Sequence, residues 1–355
     1  MKNDRVDHID IAKGISIILV ALFHSKLAAF APALIKPMAL FRMPLFFFLS
    51  GIFLSYKTDA SKFVWKKADA LLKPYFVTLI LLLFITTILG EGEFNRGLVG
   101  ILYGNGNTIR WTPLWFLTHL FMVYCIGYVV CKYFRFDAIH ANAKKVIIIC
   151  AIAVGSVYID IFWNAEIIMA SEKFILPGLP FSFDLILISS TFFLLGYIFR
   201  SNVISFKPSS IIAIFCLLVF LSIAKFTDAY IDLNERVYRA PVFATVGALC
   251  GIYLILFISH LLQKVALIKS ALIKFGSGSL FILIFHWLIG GKTFSILHNV
   301  LQLEIPVLLI AIFAFIMSVV VPLLIKEIVC KVDLFALFYL PMNNVKLYHR
   351  LKSQV

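Results

Sequence analysis

Ten apolar runs, each long enough or nearly so to cross a bilayer, leave this chain few ways to fold. They lie at about residues 11–31, 41–56, 74–90, 113–131, 146–162, 181–199, 209–227, 241–260, 276–294 and 305–325. In hydrocarbon every backbone N–H and C=O must find its partner inside the protein, so runs of this length read as helices. The expectation is an all-α polytopic membrane protein with about ten transmembrane helices. An apolar fraction of 62% and a mean hydropathy of +1.01 exclude an ordinary soluble domain. The second run is short, and its Phe46-Phe47-Phe48 stretch between Pro44 and Gly51 fits a tilted or broken segment. Asp10 and Lys13 crowd the first run and no small-residue cleavage site follows it, so it reads as a retained span. Connecting loops reach only about twenty residues. That predicts one domain over residues 1–355, with a membrane core of about 10–325 and a basic tail at 326–355.

The net charge of +14 is explained by topology. With the N-terminus cytoplasmic, alternate segments on that side hold 22 of the 32 lysines and arginines and eight acids. The opposite segments hold ten of each and are neutral. All the excess is positive-inside charge, which places both termini in the cytoplasm and leaves no surplus for nucleic acid. Six scattered cysteines form no CxxC pair, and HExxH, P-loop and G-x-S-x-G patterns are absent, so no metal site is expected.

Ionisable groups inside apolar runs are costly and mark functional paths. On an ideal helix Lys13 and His24 differ by about 20° in azimuth and roughly 16 Å along the axis, and Asp10 lies about 40° from the same line. This acid, base and imidazole share one stripe. His24 is either a packed core histidine or a general base, the side chain best poised for that role near neutral pH. His286 sits in the ninth run, after Gly276-Ser277-Gly278-Ser279, whose small residues let helices approach closely. Arg42, followed by Met43 and Pro44, abuts the aromatic stretch that ends at Ser50 and Gly51, and it either snorkels to headgroups or lines a cavity. Lys66, Lys67 and Lys73 belong to a basic segment whose charge serves topology or a phosphate-bearing cytosolic ligand. Trp115 and His119 open the fourth run, as an interfacial anchor or as a platform for a sugar face.

The ordered set of Asp-x-x-Lys-Gly at Asp10, His24 fourteen residues after the Asp, Met43-Pro44-x-Phe-Phe-Phe-x-Ser-Gly, a basic segment ending in Pro74-Tyr75, Leu114-Trp115-Phe116-Leu117 and a late helix bearing His286 resembles acyltransferase family 3. These are integral-membrane O-acyltransferases of bacteria, and the fucose-acetylase-like and enterobacterial-common-antigen-like members are the nearest in pattern. The resemblance implies a multi-pass protein of the bacterial plasma (inner) membrane. It implies transfer of an acyl group, usually acetyl, from cytosolic acetyl-CoA as co-substrate to a hydroxyl of a surface glycan or its lipid-linked precursor, without a tightly bound cofactor. By position His24 matches the essential first-helix histidine and Lys13 the usual arginine. Arg42 matches the polar residue before Met-Pro, and Lys66, Lys67 and Lys73 match an arginine-rich cytoplasmic motif. Lysine replaces arginine at these last positions, keeping charge and losing bidentate geometry.

These expectations make His24 a base or an acyl relay, with a partner from another helix for which His286 and His119 are the candidates. Lys13, Arg42, Lys66, Lys67 and Lys73 are placed on the donor side, and Trp115 and His119 on the acceptor side. Two other classes fit the composition: a lipid-linked glycan flippase or small-solute transporter, and a glycan polymerase. No inverted repeat of broken helices favours the former, and short outer loops disfavour the latter.

Overall fold

The computed structural model describes residues 6–169, 172–301 and 305–342. The chain runs through α1 (Asp7–Phe23), α2 (Ala39–Ile52), α3 (Ala60–Ile88), α4 (Phe94–Tyr103), α5 (Trp115–Lys132), α6 (Ala141–Tyr158), α7 (Ile186–Ile198) and α8 (Arg200–Ile204). It continues through α9 (Ser210–Phe226), α10 (Pro241–Leu262), α11 (Ala266–Ser277), α12 (Ser279–Ser295), α13 (Val307–Lys331) and α14 (Asp333–Tyr339). Two antiparallel hairpins interrupt it: β1 (Trp163–Met169) with β2 (Glu172–Pro177), and β3 (Tyr230–Asp232) with β4 (Val237–Arg239). Among the described residues eight helices are long and apolar enough to cross a membrane, and Ser210–Phe226 is a shorter apolar one. The chain is therefore an all-α membrane protein with two small hairpins in its loops. Residues 1–5 and 343–355, which include both termini and the last part of the basic tail, lie outside the described residues.

Three boundaries differ from the sequence reading. The first helix was expected to reach residue 31 and ends at Phe23. Ser25 is extended (φ −84°, ψ 156°), its hydroxyl donates to the Leu22 carbonyl at 2.7 Å, and Lys26–Phe30 forms a 3-10 turn. The second difference is that Lys62, Lys66, Lys67 and Lys73 are not in a loop, because α3 starts at Ala60 and carries them on its first turns. The third is that the segment 261–275, read as a loop, is mostly α11, and the ninth run divides at Gly278. Amphipathic basic stretches look like loops to a hydropathy count, which sees charge before periodicity.

The chain divides into two compact units, Met1–Ile52 with Leu195–Glu327, and Phe53–Leu194 with Ile328–Val355. In the first, α1 is the central element and packs on α2, α10, α11 and α12. Its closest approach is to α11, where a Cβ on Gly14 would lie 2.1 Å from the Leu272 carbonyl oxygen and one on Gly276 would lie 2.5 Å from that of Asp10. The Gly-Ser-Gly-Ser stretch thus supports a close helix crossing, as its small residues predicted. The aromatic stretch of α2 packs as tightly, with a Cβ on Gly196 meeting the Phe48 carbonyl oxygen at 1.9 Å. The outward faces stay apolar, with Ile211 82% exposed and Leu309 53%, a surface that lipid rather than water would cover.

In the second unit α3 packs on α4, α5 and α14. Tyr75 is fully buried and donates to the Ile101 carbonyl at 2.8 Å. Gly127 faces Phe193, whose ring lies edge-on to Tyr124 with centroids 5.0 Å apart.

Candidate functional site

The early end of α1 puts His24, an exposed residue, at the cap position, and the first unit brings His286 to it from α12. The two imidazole centroids are 5.4 Å apart at an interplanar angle of 47°. His286 is 2% exposed, and its Nδ1–H donates to the carbonyl of Ile282 at 2.8 Å and of Leu283 at 3.0 Å. A neutral imidazole that donates from Nδ1 must carry its lone pair on Nε2, and that buried Nε2 has no hydrogen-bond partner among the described residues. Both rings line one cavity of about 520 Å³, together with Ala21, Trp287, Gly291 and Ser318.

Arg42 reaches the same end of α1. Its guanidinium carbon lies 3.5 Å from the centroid of the Phe23 ring, which meets His24 edge-on at 5.5 Å. The side chain is 5% exposed, so it does not snorkel to an outer surface. Its Nε and Nη1 have no hydrogen-bond partner among the described residues. Compensation comes from the hairpin, since β3 packs on α2 and Asp232 and Tyr230 act on Arg42 electrostatically. Burial, then the Asp232 carboxylate, push the Tyr230 phenol above its ordinary value, and Arg42 opposes them. In the sequence nothing separates the acids of 228–235, Asp228, Asp232 and Glu235, from one another. Only the packing of a short hairpin on a helix distant in sequence selects Asp232, and no local pattern announces that.

Other candidates are placed elsewhere. Lys13 pairs with Asp10 at 3.2 Å, at the far end of α1 from His24. Pro44 lies inside α2 and is buried, as is Gly51, while Ser50 is partly exposed near the end of the same helix. The remaining lysines belong to the second unit. There Lys66 is exposed, Lys67 sits 3.3 Å from the centroid of the Tyr124 ring, and Lys73 pairs with Asp69 at 2.6 Å and donates to the Leu340 carbonyl at 2.6 Å. Trp115 and His119 are 5% and 0% exposed. His119 is held through Nε2 to Ser189 Oγ at 2.6 Å and through Nδ1 to the Phe181 carbonyl at 3.3 Å.

Two imidazoles, one with an unpartnered lone pair and one open to a cavity, beside a buried cation, can take a proton from an alcohol and stabilise developing negative charge. A family model described as an acyltransferase domain matches residues 6–327, nearly the whole chain. No curated protein and no solved structure matches it. Family and architecture agree: the chain belongs to the acyltransferase 3 family of multi-pass membrane acyltransferases.

Proposed function

We propose that this protein moves an acyl group, most simply acetyl, from acyl-CoA to a hydroxyl of a cell-surface glycan or its lipid-linked precursor, with His24 as general base. The observation that carries the reading is the pairing of His24 with His286 at 5.4 Å in one cavity. In this scheme His24 removes the proton of the acceptor hydroxyl as its oxygen attacks the thioester carbonyl carbon. The C–S bond breaks, and the departing CoA thiolate takes that proton back from the imidazolium. Nε2 of His286, fixed as an acceptor by the two carbonyls that hold Nδ1–H, stabilises the imidazolium while it exists. The unpartnered N–H groups of Arg42 provide donors for the oxyanion, where preorganised charge contributes most.

The donor's phosphates are assigned, within the first unit, to Lys13; the α3 lysines Lys66, Lys67 and Lys73 belong to the second unit and are left out of this assignment. Lys13 is eleven residues before His24, roughly 16 Å along α1, a span suited to an extended pantetheine arm. The acceptor-side role of Trp115 and His119 finds less support, because both are buried and His119 already has two partners. The flippase and transporter readings are not favoured by the family. The deciding experiment gives purified protein in proteoliposomes radiolabelled acetyl-CoA and host glycan. Label reaching the glycan with wild type and not with His24→Ala, at equal membrane insertion, supports the reading. Label transfer by a well-inserted His24→Ala would overturn it.

A further inference from the structure

The cavity that joins His24 to His286 also holds two cations that proton transfer does not require. Lys26 and Lys292 both line it, beside the exposed indole of Trp287 and the hydroxyls of Ser25, Ser295 and Ser318. Among the described residues no carboxylate lines this cavity, and neither lysine has an ion-pair partner. In the same unit Lys13 pairs with Asp10 and Lys269 with Asp7, both carboxylates standing at the start of α1. Both cavity lysines also fall in the segments that the charge count puts outside, which hold ten of the 32 basic residues. Topology therefore does not ask for them.

We propose that the acceptor alcohol carries an anionic group, a carboxylate or a phosphate, which Lys26 and Lys292 hold while its hydroxyl meets His24. The proposal rests on the acyl-transfer reading above and specifies its substrate class. Two ammonium groups without a carboxylate leave the cavity with uncompensated positive charge, and an anion entering it gains charge-assisted hydrogen bonds. Lysine suits the task, being a mobile point charge that follows either anion, where arginine would impose a planar fork. Holding the acceptor by its charge, with a sugar ring against Trp287, turns the hydroxyl into a positioned reactant.

The test offers purified full-length protein in proteoliposomes [14C]acetyl-CoA and host glycan separated on an anion exchanger into neutral and anionic pools. The anionic pool is divided again into chloroform–methanol-extractable lipid phosphates and water-soluble carboxylated glycan, so that the labelled arm names the anion. Label is expected in an anionic arm. Lys26→Gln with Lys292→Gln is expected to lower kcat/KM for that arm by about tenfold per lysine, with KM for acetyl-CoA unchanged and most activity restored by arginine at both positions. Gly291→Phe provides a second probe, because Gly291 lines the cavity and a Cβ there meets nothing within 4 Å. It is expected to raise acceptor KM and leave the donor's alone. Label mainly in the neutral pool, an unaffected double glutamine variant, or a rise in KM for acetyl-CoA instead would overturn the proposal and leave acyl transfer standing. No label in any pool would remove the acyl-transfer reading itself.

Discussion

Helix α1 carries a histidine near each end, and each faces a second histidine from another helix. At one end His8 stacks obliquely with His260, centroids 5.9 Å apart, and at the other His24 meets His286 at 5.4 Å. Spacing does not separate the pairs, and among the described residues each keeps one unpartnered buried nitrogen, Nδ1 of His260 and Nε2 of His286; access does separate them. His8 is 5% exposed, and its Nε2 bonds the Val203 carbonyl at 2.8 Å, satisfying an orphan acceptor near the end of the five-residue helix α8. Its surroundings are neutralised by the Asp7–Lys269 and Asp10–Lys13 pairs. His24 instead opens on a cavity, beside an imidazole and a guanidinium that both keep unused polar atoms. A histidine pair can react where a cavity reaches it, and is structural where packing closes it off.

The largest expected effect breaks the comparison at the open end. His24→Ala is expected to lower acyl transfer by about 10²–10⁴-fold, the range for losing a general base, measured as acetyl incorporation per inserted molecule. The wild-type rate is expected to fall as pH falls, because an imidazolium has no lone pair for the hydroxyl proton, and the residual rate of His24→Ala should lose that dependence. Next comes His286→Phe, which keeps a flat ring and removes the acceptor nitrogen. If His286 positions and stabilises His24, kcat drops by about 10- to 100-fold with KM for acyl-CoA unchanged. A purely structural role would instead reduce the yield of folded protein and leave kcat per folded molecule intact.

How legible this site was in the sequence can be read from the same residues. Apolar runs long enough to span left helices as the only solution, and each of the ten runs holds one. His24 stood out because a titratable group in an apolar run is costly. His286 and His119, both within late or middle apolar helices, were indistinguishable on that criterion. One ends with an idle Nε2 beside His24, and the other is held by Ser189 and Phe181. The difference lies in which helices meet, information that hydropathy does not carry. Asp232 and Lys292 were overlooked for the same reason, since outer-loop and span-end charges look alike until packing selects among them. The helix boundaries at Phe23, Ala60 and Gly278 depended on a serine hydroxyl and amphipathic basic turns that a count of apolar residues passes over.

A smaller effect tests the closed end through its helix crossing. Gly14 leaves no room for a side chain, with the Leu272 carbonyl oxygen 2.1 Å from where a Cβ would be. Gly14→Ala must push α11 away from α1, and overpacking of this kind costs about 1–3 kcal/mol. The loss is expected as a lower midpoint of thermal unfolding in detergent, with the acetyl transfer rate of the surviving folded fraction reduced far less than by His24→Ala.

The smallest effect isolates the histidine at that end. His8→Ala removes the donor to the Val203 carbonyl and leaves it buried without a partner, which costs about 1–3 kcal/mol, and less where water reaches the oxygen. His8→Gln, whose amide can donate in its place, should recover most of that. Neither change touches the cavity of His24, so kcat and both KM values are expected to stay within about twofold of wild type, an energy difference below RT. A tenfold fall in kcat with His8→Ala, at full stability, would show that the closed end takes part in turnover. The division between a closed and an open histidine pair would then be wrong, and proton movement along the whole of α1 would have to replace it.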